Sequence, residues 1–198
     1  GAGVNRIAVV TAPEGQDVRN YATGQACLTA IQEKQLGTGH AAAAAWTALE
    51  DFEGDLVIAY GDNPLMTPAT FAASFEAAAQ TGMGLVAFRP HDPGAYGRVM
   101  LTPDGLLDRI VEFKDATADE RKIDLCNAGV LAGDARKLFR WASLLGNDNA
   151  QKEYYLTDVP AFARAEGVRC TVAVTSETEA LGVSSRAELA EADFHIQQ

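Results

Sequence analysis

Short apolar runs that end in turn residues, separated by stretches of helical period, set the strongest limit on how this chain can fold. "RIAVVT" at 6–11 and "LVIAY" at 56–60 are such runs, with "ACLTAIQ" at 26–32 a weaker third. Apolar, β-branched runs of this kind suit strands covered on both faces. Helical patterns lie between and after them. One covers 17–22; a second covers 39–50, where Ala42, Trp46 and Leu49 recur at i, i+4 and i+7. A third covers 68–79, opened by Thr67 as N-cap and Pro68 at the first helical position. Strand alternating with helix predicts an α/β fold with a mainly parallel sheet. The centre changes character: "GLVAFRP", "GRVMLTPDGLLDRIVEF" and "IDLCNAGVLAG" are strand-like with few helices between them, and "PDG" at 103–105 marks a hairpin. Helices over 134–144 and 157–166, a strand at 170–175 and a short helix over 186–192 follow. The layout is one domain, a nucleotide-binding half followed by a mixed half able to hold a second ligand.

Composition narrows the function. A chain of 198 residues, 47% hydrophobic, can bury one ordinary core. A net charge of −11 argues against a nucleic-acid groove, which needs clustered Lys and Arg. Small anionic ligands stay compatible, because a local site can be positive within an acidic protein. Cys27, Cys126 and Cys170 show no CxxC spacing and sit in apolar contexts, as buried thiols of a reducing cytoplasm do. No stretch approaches the ~20 apolar residues of a membrane span, and a soluble, cytoplasmic protein without a membrane partner is expected.

The glycine turn in "EKQLGTGHAAAAAW", residues 33–46, invites three ligands. A phosphate-cradling Walker loop fails, because His40 and Ala41 follow Gly39 where Lys and Ser/Thr are required. A dinucleotide fingerprint fits Gly37, Gly39 and Ala42, with Asp62 at the end of a later strand, but the polar "QEKQL" separates strand from turn. In the third case Gly37 and Gly39, lacking Cβ, lie against a planar base while Gln32 and Gln35 offer amides to a pyrimidine edge. A plain strand-to-helix turn is the ordinary alternative. "YGDNPL" at 60–65 then places Asp62 just past a buried strand, where open α/β sheets bind ligands and where a hard cation such as Mg²⁺ finds oxygen; an Asp that only caps a turn is its plain alternative. "YGRV" at 96–99, "IVEFKDA" at 110–116, "CNAGV" at 126–130 and "NAQKEYYLTD" at 149–158 complete the set.

In that order, these segments resemble the N-terminal pyrophosphorylase domain of bacterial N-acetylglucosamine-1-phosphate uridyltransferases, of the sugar-nucleotidyltransferase superfamily. The likeness covers nearly the whole chain. It implies a Rossmann-like three-layer fold with a mixed, mainly parallel sheet, and it favours the base-recognition role for the glycine turn. Gln32, Gln35, Gly37 and Thr38 of "QEKQLGTGH" would meet uracil, Tyr60 and Gly61 would lie near the nucleoside, and Asp62 would be the catalytic Mg²⁺ ligand. Gly97, Glu112, Asn127, Glu153, Tyr155 and Thr157 would form the sugar pocket. The implied reaction joins UTP and N-acetylglucosamine-1-phosphate into UDP-N-acetylglucosamine and pyrophosphate, a step toward peptidoglycan and lipopolysaccharide.

Two departures from the family accompany this likeness. The family opens with a strand and a glycine-rich loop, L-A-A-G-x-G-T-R-M, then a Pro-Lys pair; "GAGVNRIAVV" matches its second strand, so the first strand and that phosphate-gripping loop have no counterpart here. Ser184 of "LGVSSR" stands where the family has a metal-binding Asn. The family's C-terminal left-handed β-helix, through which its full-length members form homo-oligomers, also lacks a counterpart. A truncated, inactive piece of a bifunctional enzyme is therefore expected. The rivals are a catalytically incomplete sugar-nucleotide-binding module and an NAD-dependent oxidoreductase with Asp62 on a ribose. His40, His91 and His195 are scattered and given no catalytic part; Lys114 and Asp115 of "KDA" either orient ligand or only close a turn, and the turn is expected.

Overall fold

The structure, a computed structural model, describes residues 3–197. Strands β1 (Ala8–Thr11) and β2 (Leu28–Ile31), joined by helix α1 (Gln16–Gly24), pair in parallel with Val10 opposite Ala30. Helices α2 (Thr38–Ala44) and α3 (Trp46–Leu49) lead to β3 (Asp55–Ala59). Then come α4 (Pro68–Thr81), β4 (Gly82–Phe88), β5 (Arg98–Leu101), β6 (Leu107–Val111) and β7 (Cys126–Asp134). Helix α5 (Ala135–Ser143), helix α6 (Val159–Ala165), strand β8 (Arg169–Thr175) and helix α7 (Arg186–Ile196) close the order.

The larger sheet is mixed. β7 is its antiparallel centre: β4 lies along one edge, and β3 and β5 share the other. β8 runs parallel to β4, and β6 runs antiparallel to β5 across the predicted hairpin. β3, β4, β5 and β8 therefore point one way, as a mainly parallel sheet requires. Helices cover both faces. Met83, Leu85, Leu131, Leu138, Trp141 and Val159 fill the side under α5 and α6, while Val86, Phe88 and Val130 pack beneath Met66 and Phe71 on the other.

Three local expectations change. The single helix over 39–50 is broken at Ala45, because Ala45 and Ala48 donate to carbonyls three residues back, at Ala42 and Ala45, which tightens the turn. The 157–166 helix starts with a 3-10 turn at Leu156–Asp158, before Pro160 in the first turn of α6. Helix α7 runs on to Ile196. Thr67 caps α4 as expected, its Oγ1 accepting from Thr70 N–H at 3.3 Å. Cys126 and Cys170 are buried; Cys27 is only half-buried, since it precedes β2 in the thinly covered two-stranded ribbon.

No ladder joins the two sheets among the described residues. Among the described residues β1 pairs only with β2 and β3 only with β7, and their free edges face a cavity of about 1410 Å³. Residues 4–10 and 54–61 line its sides; Ala41, Ala42 and Ala45 lie on one face and Phe71 and Phe75 on the other. Strand edges bound this slot on two sides and helices cover its two faces.

Candidate functional site

A cleft of about 240 Å³ gathers Thr38, Tyr60, Asp62, Gly97, Glu112, Asn127, Glu153 and Tyr155. The elements explain the convergence: Thr38 opens α2, Tyr60 and Asp62 follow β3, Gly97 precedes β5, Glu112 follows β6 and Asn127 lies in β7. Asn63, Tyr96 and Gln151 also line it and were missed, although each falls inside a segment singled out for its neighbours. Of the other candidates, Gln35 is exposed and Gly61 lines the slot instead. Gln32, Gly37, Thr157 and Ser184 stand behind or beside the cleft.

The glycine turn is held from within. Gln32 is buried, and its Nε2 lies 3.0 Å from the Gly37 carbonyl and 3.0 Å from His40 Nδ1. Gly37 has φ 104° and ψ 173°, a conformation open essentially to glycine alone. A Cβ there would lie 2.7 Å from the Tyr154 carbonyl oxygen and 2.9 Å from its nitrogen. Residues 149–157 form a strap across the turn: Tyr154 N–H donates to Leu36 O at 2.8 Å, Gly39 N–H to Tyr154 O at 2.8 Å, and Leu156 N–H to Thr38 Oγ1 at 3.1 Å. The glycines thus admit the strap. Polar residues 32–36 still separate β2 from the turn, unlike a dinucleotide fingerprint.

Tyr60 closes one side of the cleft. Its ring packs on Gly129, where φ is 75° and an added Cβ would lie 2.4 Å from the ring. Burial pushes the phenol up to about 12, with Thr38 and Asn127 pulling the other way and the charges of Glu112 and Asp62 adding to the rise. Tyr60 is therefore a protonated donor at neutral pH.

On the opposite wall Thr157 Oγ1 donates to Glu112 Oε1 at 2.9 Å. Burial raises the Glu112 carboxyl above its ordinary 4.5, Thr157 opposes the rise, and the negative neighbours Asp158, Asp115 and Glu153 reinforce it. A Cβ on Gly97 would come within 3.4 Å of Glu112 Oε2, so glycine keeps that carboxylate reachable. Asn127 Oδ1 accepts from Gly129 N–H at 3.0 Å, which orients its amide. Arg98 of "YGRV" is buried and spends its guanidinium on the carbonyls of Pro93, Gly94, Tyr96 and Arg121, shaping the loop that presents Tyr96 and Gly97.

For a cation the donor set is sparse. Among the described residues no donor is bonded to the Asp62 carboxylate, and no group of three His, Cys, Asp or Glu side chains is placed to hold a metal. One free carboxylate fits Mg²⁺, which keeps waters and takes substrate phosphate oxygens. Val183 N–H donates to the Asp62 carbonyl at 2.7 Å and so brings Ser184 close, but the Ser184 hydroxyl is turned to Glu188 Oε2 at 2.9 Å. Among the described residues no Lys or Arg lines the cleft.

Fold and cleft together define a Rossmann-like α/β domain with a polar cleft. No family model matches the chain. It is 47% identical over 196 residues to the bifunctional protein GlmU of Maricaulis maris, a match covering 98% of this chain and 43% of that protein. The GlmU proteins of Hyphomonas neptunium (44% over 200 residues, 99% and 43%) and Dinoroseobacter shibae (49% over 196, 97% and 43%) are similar. The chain is a homologue of one segment of these GlmU proteins and spans less than half the length of these curated relatives. Among the described residues no helix is long and apolar enough to cross a membrane.

Proposed function

We propose that this chain carries the uracil- and sugar-binding cleft of a uridylyltransferase that makes UDP-N-acetylglucosamine and pyrophosphate from UTP and N-acetylglucosamine-1-phosphate. The observation that supports it is the meeting of Thr38, Tyr60 and Asp62 with Gly97, Glu112, Asn127, Glu153 and Tyr155 in one cleft. A phosphate oxygen of the sugar attacks the α-phosphorus in line; the new O–P bond forms as the bond to the β-phosphate oxygen breaks and pyrophosphate leaves. No protein nucleophile is needed, and the chain's part is positioning. Gln32 fixes the turn that receives the base, with Gln35 and Gly37 at its rim. Tyr60 donates near the nucleoside, and Glu112 and Asn127 take the sugar's hydroxyls and amide. Mg²⁺, held by Asp62, would neutralise phosphate charge that spreads during transfer.

A cleft lined, among the described residues, by Asp62, Glu112 and Glu153 without a cationic side chain lacks the donors that stabilise a triphosphate during transfer. We therefore assign binding rather than turnover to residues 1–198 by themselves. The cytoplasm and the supply of peptidoglycan and lipopolysaccharide precursors belong to the same proposal. The test is calorimetric titration with UTP and ATP in Mg²⁺ buffer, repeated on Asp62→Asn. UTP should bind more tightly than ATP, and Asp62→Asn should abolish the Mg²⁺ dependence. Equal affinity for the two nucleotides would sink the assignment.

A further inference from the structure

The carboxylate of Asp115, a residue expected to close a turn with ligand orientation as the alternative, does not itself close the turn. The turn is closed by its backbone, Asp115 N–H donating to Glu112 O at 3.0 Å. The side chain reaches across to the strap: Oδ1 accepts from Ala150 N–H at 2.9 Å, and Oδ2 accepts from the Tyr155 hydroxyl at 3.2 Å. Nearby, Lys114 Nζ reaches Gln151 Oε1 at 2.5 Å.

The strap otherwise hangs from the opposite side. Tyr154 and Leu156 bond the glycine turn at Leu36, Thr38 and Gly39, and 149–153 folds on itself through Asn149, whose Oδ1 accepts from the N–H groups of Gln151 and Glu153. Gln151, Glu153 and Tyr155 line the cleft. Their distance from Glu112 is thus set by what ties the strap to the end of β6. Thr157 on Glu112 and Lys114 on Gln151 are two ties, and the two bonds of Asp115 are a third, among the described residues the only one that grips both the backbone at 150 and the side chain at 155.

We propose that Asp115 is a positioning residue for the sugar side of the cleft: it touches no ligand, and it holds Gln151, Glu153 and Tyr155 at working distance from Glu112. This rests on the functional proposal above. Charge-assisted bonds of this kind are stronger than neutral ones, so their loss should be felt in affinity rather than only in local order.

The test uses the purified protein with N-acetylglucosamine-1-phosphate and UTP as separate titrants, together with amide hydrogen exchange. Asp115→Ala should weaken the sugar phosphate about tenfold, leave UTP within about twofold, and speed exchange at Ala150 while Tyr154, bonded to Leu36, stays protected. Asp115→Asn should restore sugar affinity, because Oδ1 still accepts from Ala150 and the amide can donate to the Tyr155 oxygen. Tyr155→Phe keeps the ring, loses one of the two bonds, and should fall between. Wild-type sugar binding that Asp115→Ala leaves intact would overturn this assignment alone, even with faster exchange at Ala150. Equal losses for UTP and sugar phosphate would also overturn it, as general destabilisation. A wild-type protein that binds no sugar phosphate would overturn the functional proposal and this assignment with it.

Discussion

Replacing Gly37 by alanine separates two roles for the glycine turn. The backbone there sits at φ 104° and ψ 173°, and holding an L-residue in that region costs about 1–3 kcal/mol. The new methyl would also lie 2.7 Å from Tyr154 O, 2.8 Å from Glu153 Cβ and 2.9 Å from Tyr154 N. Two of those three atoms are backbone, pinned by bonds to Leu36 and Gly39, so the strap must shift as a piece. Forcing a methyl into such packing costs about 1–3 kcal/mol more. Together these give a loss of about 2–6 kcal/mol, or roughly 4–24 °C in melting temperature for a chain of this size. Gly146→Ala is the control, since a Cβ there meets nothing within 4 Å and φ is not positive. Thermal unfolding of both variants by circular dichroism is the assay. A Gly37→Ala protein that melts within about a degree of the control would show that the turn yields freely, and the packing account of these glycines would be wrong.

Gly129→Ala should drive the Tyr60 ring from its seat, lowering UTP affinity more than sugar-phosphate affinity in paired titrations, because the methyl lands 2.4 Å from that ring. Glu112→Gln should be at least as stable as wild type at neutral pH. Burial raises the folded-state pKa of Glu112 above 4.5, so folding takes up a proton in the window just above 4.5, and wild-type stability falls as pH rises through it. Melting curves across that window should show the fall in wild type and a reduced one in the variant; identical slopes would refute it. Maleimide labelling of the native protein should modify Cys27 and spare Cys170, whose thiol burial pushes up to about 12; mass spectrometry of the digest reads this directly.

Element types were largely legible because they rest on local pattern. The apolar runs at 6–11 and 56–60, the Thr67-Pro68 start of α4 and the "PDG" hairpin each carry their own signal. The break at Ala45 did not, since five consecutive alanines give no reason to tighten one turn rather than another. The cleft was legible as a set of segments more than as atoms. Eight candidates line it, yet Gln32 proved a buried brace and Ser184 a partner of Glu188. Those roles depend on which neighbour a side chain meets after folding. The same holds for Asp115, whose partners at 150 and 155 are distant in sequence.

The slot between β1 and β3 has a consequence for cooperativity. Sheet hydrogen bonds usually make neighbouring strands unfold together, but among the described residues no ladder crosses from one sheet to the other. The β1–α1–β2 unit touches the rest mainly through α2 and α3, helped by an exposed Arg6–Asp51 ion pair worth little. It should therefore open on its own, at a free energy below that of global unfolding, carrying Gln32 and the entry to the glycine turn with it. A strand bonded to both edges at once would fuse the two units into one, and the amides of β1 and β7 would then open in a single transition.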